Sequence, residues 1–155
     1  MKVHLLLLAQ VFVWLALIQG TTWAQEKYTP SENEELFGTW TNEKMFPPQL
    51  VENPNGTFEE HFPIDNPKAF KGGTIEIVKK WTGSDGSIYY YSFDTTTFGA
   101  DKGRKVKALW KISELGKVLE VVRRVTGWSE FDPKGMPTEI DPKDSFYQIF
   151  ARSES

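Results

Sequence analysis

Leu36-Phe37-Gly38-Thr39-Trp40-Thr41-Asn42 is the stretch whose reading decides the fold. It is a short β-prone run with a glycine two residues before a tryptophan. Glycine lets a second backbone or a side chain approach closely. Tryptophan supplies a large apolar plug whose single N–H needs an acceptor. An acidic lead-in, Glu32-Asn33-Glu34-Glu35, precedes it. Downstream, strand-like segments follow one another at intervals that suit closure around such a plug.

Turn signals recur every ten residues or so, and no helical periodicity longer than about two turns follows the N-terminal segment. The pattern predicts strands over 38–45, 49–52, 57–62, 73–81, 87–94, 106–112, 118–125 and 146–152. Asn53-Pro54-Asn55-Gly56 is a strong hairpin turn, because Asn-Gly tolerates positive φ. The alternation is cleanest over 106–112: Val106, Ala108, Trp110 and Ile112 face one way, Lys107, Leu109 and Lys111 the other. Phe58, Glu60 and Phe62 share one side of their strand; Ile75, Ile77 and Trp81 share one side of theirs. The fold class expected is all-β, a single up-and-down antiparallel barrel of about eight strands. Closure removes the edges that an open meander would expose.

Residues 1–24 have a positive start at Lys2, an apolar run over 5–18 and a small-residue zone ending at Ala24. These are the three parts of a secretory signal peptide. The apolar run is shorter than the ~20 residues that span a bilayer. The expected organisation is a signal peptide at 1–24, a flexible leader at 25–35 and one barrel domain at 36–152. The expected address is secreted or periplasmic, with no membrane span after signal removal.

Composition excludes several functions. The chain has no cysteine, so packing alone must hold a small secreted domain together. Removing Lys2 from 18 basic residues leaves 17 against 21 acidic ones, which argues against a nucleic-acid binder needing a basic face. Of two histidines only His61 follows the signal, too few for a zinc site, and it reads as a surface residue. The sets needed for nucleophilic catalysis are as sparse. No catalytic residue, metal or cofactor is expected, and the reading is non-enzymatic. Asp85-Gly86 and Asp94 read as turn residues, without the spaced oxygen ligands of a calcium loop.

Gly38-Thr39-Trp40 at the start of the first strand, with Arg152 near the end of the last, resembles the calycin group: lipocalins, fatty-acid-binding proteins and avidins. The resemblance implies that Trp40 plugs one end of the barrel and that a late arginine packs across it, Arg152 or, as its competitor, Arg124. Leu36 to Trp40 followed by Asn53-Pro54-Asn55-Gly56-Thr57-Phe58 is similar to small bacterial secreted lipocalin-like domains. The chain departs from the usual lipocalin in being shorter and in lacking a disulfide.

The aromatic set points to two alternatives. Phe58, Phe62, Trp81, Tyr90, Trp110, Phe146 and Phe150 either fill the interior as a solid core or line a cavity. In the cavity reading the protein binds a small hydrophobic or amphipathic molecule. Phe58, Trp81, Tyr90 and Trp110 form apolar walls, Glu60, Tyr90 and Gln148 supply polar groups, and the loop carrying Trp128 acts as a lid. In the other reading the core is solid and the 126–145 loop engages a protein partner, as an enzyme inhibitor or envelope-assembly factor.

Overall fold

A computed structural model describes residues 28–153 except 100, 114 and 128–135. The expected signal peptide, and Trp128 with the first part of its loop, lie outside the described residues. Eight strands form one closed antiparallel barrel in sequence order: β1 (Gly38–Thr41), β2 (Gln49–Asn53), β3 (Thr57–His61), β4 (Lys71–Thr82), β5 (Ile88–Phe98), β6 (Lys105–Ser113), β7 (Val118–Gly127) and β8 (Tyr147–Arg152). Among the described residues there is no helix, and so none long and apolar enough to cross a membrane.

The closing seam joins β1 to β8, with Trp40 opposite Arg152 and Thr41 opposite Ala151. Two bonds beyond the ladder pin it: Ser153 N–H donates to Thr39 O (2.9 Å) and Asn42 Nδ2 to Ile149 O (2.8 Å). Asn42 also ends β1 four residues earlier than the sequence predicts. Its Oδ1 accepts from Lys44 N–H (3.0 Å) and its carbonyl from Met45 N–H (3.0 Å), so an Asx turn replaces further strand.

Other boundaries and faces also differ from expectation. β5 continues through Thr95-Thr96-Thr97-Phe98, a run that is polar in character but β-branched and aromatic in shape. β4 starts two residues early, at Lys71. β3 ends at His61, which leaves Phe62 exposed instead of sharing the inner face with Phe58. His61, read as a surface residue, is buried: its Nδ1 lies 2.8 Å from Asn66 O and its Nε2 3.1 Å from a Glu59 carboxylate oxygen.

β4 also carries a bulge. Ile77 pairs with Ser92 but Lys79 pairs with Tyr91, so Val78 is the extra residue. One inserted residue reverses the parity of all that follows. Ile75 and Ile77 are buried inside, whereas Trp81 is carried to the outer surface. There it stacks on Tyr89 (ring centres 5.3 Å apart, 11° between planes) and leans on Tyr91 (4.8 Å).

The up-and-down order sends the β1–β2, β3–β4, β5–β6 and β7–β8 connections to one end. The opposite end receives the tight turns and the residues before β1. That half is packed solid by Trp40, Leu50, Tyr90, Trp110, Leu119, Val121 and Phe150, all essentially without solvent exposure.

Candidate functional site

The sealed end is built from the N-terminal stretch inward. Trp40 Nε1 donates to Leu36 O (2.9 Å), and the Arg152 guanidinium carbon sits 4.3 Å from the centre of the Trp40 ring. That guanidinium donates to the carbonyls of Gly116 (2.8 Å), Phe37 (3.1 Å) and Glu35. Gly38 has a φ of +140°, and a Cβ there would lie 2.7 Å from Arg152 Nη1, so the glycine clears space for the brace. Arg124, the alternative brace, is elsewhere: it pairs with Asp144 and lies 5.3 Å from the Phe146 ring.

The described part of the leader is not loose. Glu34 is buried, and Lys80 Nζ donates to Glu34 (2.7 Å) and Glu35 (2.8 Å). Tyr90 Oη donates to the same two carboxylates (3.0 and 2.6 Å), and Tyr28 Oη donates to Glu34. Burial works to raise the Glu34 carboxyl, but hydrogen bonds from Lys80, Tyr28, Ser31 N–H and Tyr90 overcome it and hold the group down at about 2. Tyr90 is pushed up, first by burial and then by Glu35 and Glu34. These contacts correct the expectation of a flexible leader for residues 28–35. They also place Tyr90 at the sealed end, away from the cavity at the other end.

The other end is hollow. A cavity of about 400 Å³ lies inside the strand ends, and the β1–β2 connection and the segment leading into β8 form its edge. Met45, Phe46, Phe58, Val106, Val125 and Phe146 supply its apolar walls. Its floor is polar, with the charged Glu60, Lys71, Asp94 and Arg123 beside the hydroxyl of Thr96. The volume falls within the 300–1,000 Å³ of small-molecule sites, and so does the pairing of apolar walls with a few placed polar groups.

Glu60, nearly without exposure, binds the two inner cations. Arg123 Nη1 donates to its Oε1 (2.9 Å), and Lys71 Nζ lies 2.8 Å from its Oε2 at ion-pair distance. The Arg123 guanidinium also rests 5.2 Å from the Trp110 ring centre. Trp110 Nε1 donates to Ser92 Oγ (2.7 Å), and Ser92 Oγ donates to Asp94 Oδ1 (2.7 Å). A polar chain thus runs from the solid core up to the cavity floor. Asp94 is raised to about 6: burial does most, Arg123, Ser92 and Lys71 oppose it, and the Glu60 charge adds to it. Glu52, fully enclosed behind the floor, is raised well above its ordinary value by burial, then by the charge of Asp94. Among the described residues nothing hydrogen-bonds to Glu52 Oε2 or Arg123 Nε, and no group of three or more side chains could hold a metal ion.

Of the residues expected to bind ligand, Phe58, Glu60 and Gln148 do border the cavity. Gln148 also anchors its edge, donating to Phe46 O (2.8 Å). Trp110 lies beneath the floor and touches the site only through Arg123 and Ser92. Trp81 is on the outer surface because of the β4 bulge, and Tyr90 is at the sealed end. Of the loop read as a lid, Thr138, Glu139 and Ile140 border a groove with Trp81, Tyr89 and Leu109 on the outside of the barrel. Ser145 and Phe146, later in the chain, do reach the cavity edge. The residues missed were Glu52, Lys71, Asp94 and Arg123. A signal for Asp94 existed: Tyr90, Ser92, Asp94 and Thr96 alternate with Tyr91, Phe93 and Thr95, a small polar stripe on one face of a strand.

No protein-family model, no curated protein and no solved structure matches this chain.

Proposed function

We propose that this chain is a lipocalin-like, non-enzymatic binding protein, secreted or periplasmic, that holds a small amphipathic molecule in the open half of the barrel. One observation carries the reading: a cavity of about 400 Å³ whose walls are apolar and whose floor is charged. The apolar part of a ligand lies against Phe58, Val106 and Phe146, and its polar end meets Glu60, Asp94 and Arg123. A hollow end favours this reading over a solid barrel that acts through its 126–145 loop. The signal-like segment at 1–24 supports the export.

Displacement of a neutral fluorescent dye from the purified protein tests it, with a panel of fatty acids, retinoids, aromatic molecules and alkyl amines. Saturable displacement by at least one class is expected, weakened when Val106→Trp fills the cavity. A panel with no saturable member sinks the proposal.

A further inference from the structure

The cavity lining carries three carboxyls, Glu60, Asp94 and Asp101, and four cations, Lys71, Arg104, Arg123 and, exposed on the β1–β2 connection at the edge, Lys44. Two carboxyls reach the floor, Glu60 from β3 and Asp94 from β5, and a third, Glu52 from β2, is enclosed behind them. Two cations face them, Lys71 from β4 and Arg123 from β7. Both are committed to Glu60, at 2.8 and 2.9 Å. The Asp101–Arg104 pair (2.9 Å) above them is closed on itself, apart from a longer contact from Asp101 to Lys71 (3.6 Å). Among the described residues no lysine or arginine comes within ion-pair distance of Asp94 or Glu52. The hydrogen bond that Asp94 receives comes from a neutral hydroxyl, Ser92 Oγ. Glu52 is 2 % exposed and its Oε2 has no hydrogen-bond donor. A buried carboxyl without a donor or a countercharge is a costly arrangement, and a cation brought to it removes that cost.

On the reading that the cavity binds an amphipathic molecule, we infer that the polar end of that molecule is a cation, an alkyl amine, received by Asp94 at the cavity floor with Glu52 behind it and Glu60 beside it. An anionic head at the floor would compete with Glu60 for Lys71 and Arg123 and sit beside Asp94, while Lys44 lies out at the edge. A neutral head would leave Asp94 and Glu52 as they are. An ammonium supplies both the missing charge and the missing donors, with three N–H groups to share.

The proton account gives the reading a second signature. Burial raises Asp94 to about 6, and Glu52 is held well above its ordinary value by burial and then by the charge of Asp94. An ammonium favours the ionised forms, so its binding releases protons. The amine keeps its charge throughout this range, because its pKa lies near 10. Its affinity therefore falls as Asp94 takes up a proton, by about tenfold from pH 7.5 to pH 5 for one group titrating near 6. An anion would show the opposite slope.

Three ligands with one tail separate the possibilities: decylamine, decanol and decanoate, titrated calorimetrically below their self-association limits at pH 7.5 and pH 5. The amine is expected to bind at least tenfold tighter than the other two at pH 7.5, to release protons and to lose about tenfold at pH 5. In Asp94→Asn its advantage over decanol should collapse, with circular dichroism confirming the fold; Asn can still accept the Ser92 hydrogen bond. Glu52→Gln serves as the second variant and should shrink the proton release. Decanoate binding tightest, or amine and alcohol binding alike, overturns the cationic head while leaving the amphipathic ligand standing. Binding by none of the three overturns both.

Discussion

Arg152 covers Trp40 at the seam where the barrel closes. Its guanidinium carbon lies 4.3 Å from the indole centre, and the two residues are register partners on β8 and β1. The same guanidinium ties three carbonyls, two in the segment before β1 and one in the β6–β7 turn. One side chain thus links the last strand to the segment before β1 and to the β6–β7 turn. Trp40→Ala should cost about 3–5 kcal/mol, as for other buried aromatics, read from urea denaturation. Ligand affinity of the refolded variant should stay within twofold of the parent, because the cavity is at the far end. A stable Trp40→Ala protein that has lost binding would move the functional site to the sealed end.

Gly38 should be coupled to that arginine. An alanine there would sit in a positive-φ conformation with its Cβ 2.7 Å from Arg152 Nη1. Gly38→Ala is expected to lose about 1–3 kcal/mol. Part of the loss is contact and part is backbone strain, and only the first disappears when Arg152 is shortened. In a double-mutant cycle with Arg152→Ala the two losses should add to less than their sum. Strict additivity would mean that backbone conformation alone requires the glycine.

The barrel, its strand count and its plug were legible because they rest on period-two alternation, turn residues and one Gly-x-Trp stretch, all local in sequence. The inner surface was less so. A single inserted residue at Val78 reversed the facing of Trp81, and no local pattern marks a bulge. Asp94 looked like a turn residue because β5 was ended too early, at a run whose polarity hid its β-branched shape. Glu60 meets Lys71 across the β3–β4 pair, but Arg123, 63 residues further on, reaches it only across the closed barrel.

The outward placement of Trp81 has its own consequence. It stacks on Tyr89, leans on Tyr91 and receives Lys79 Nζ 5.3 Å from its ring centre, on the outside of the barrel. Trp81→Ser should leave affinity for any cavity ligand within twofold and cost about 1–2 kcal/mol, the scale of a partly exposed aromatic cluster. Phe58→Ser, on the cavity wall, should weaken binding at least tenfold. Equal losses from the two variants would place the ligand outside the barrel.

The buried carboxyls at the two ends should give the stability curve two opposing limbs. Asp94 moves from an ordinary 3.8 to about 6 on folding, so between those values the folded protein binds the extra proton. Its contribution is therefore present below pH 3.8 and is lost as pH rises through 6, a swing of about 3 kcal/mol at ~1.4 kcal/mol per unit. Glu52 acts in the same direction. Glu34 does the reverse: it falls from 4.5 to about 2, so its contribution is present above pH 4.5 and is lost as pH drops towards 2. Between them they place maximal stability near pH 4–5, more acidic than for most proteins. Asp94→Asn should flatten the neutral limb and raise the urea midpoint at pH 7.5, since Asn still accepts from Ser92 and carries no charge into the floor. Glu34→Gln should shallow the acid limb and leave the neutral one unchanged. Midpoints at pH 3, 5 and 7.5 for the three proteins separate these effects. A parent midpoint that climbs steadily from pH 5 to 7.5 would show that Asp94 is ionised without cost, and so has a cationic partner already.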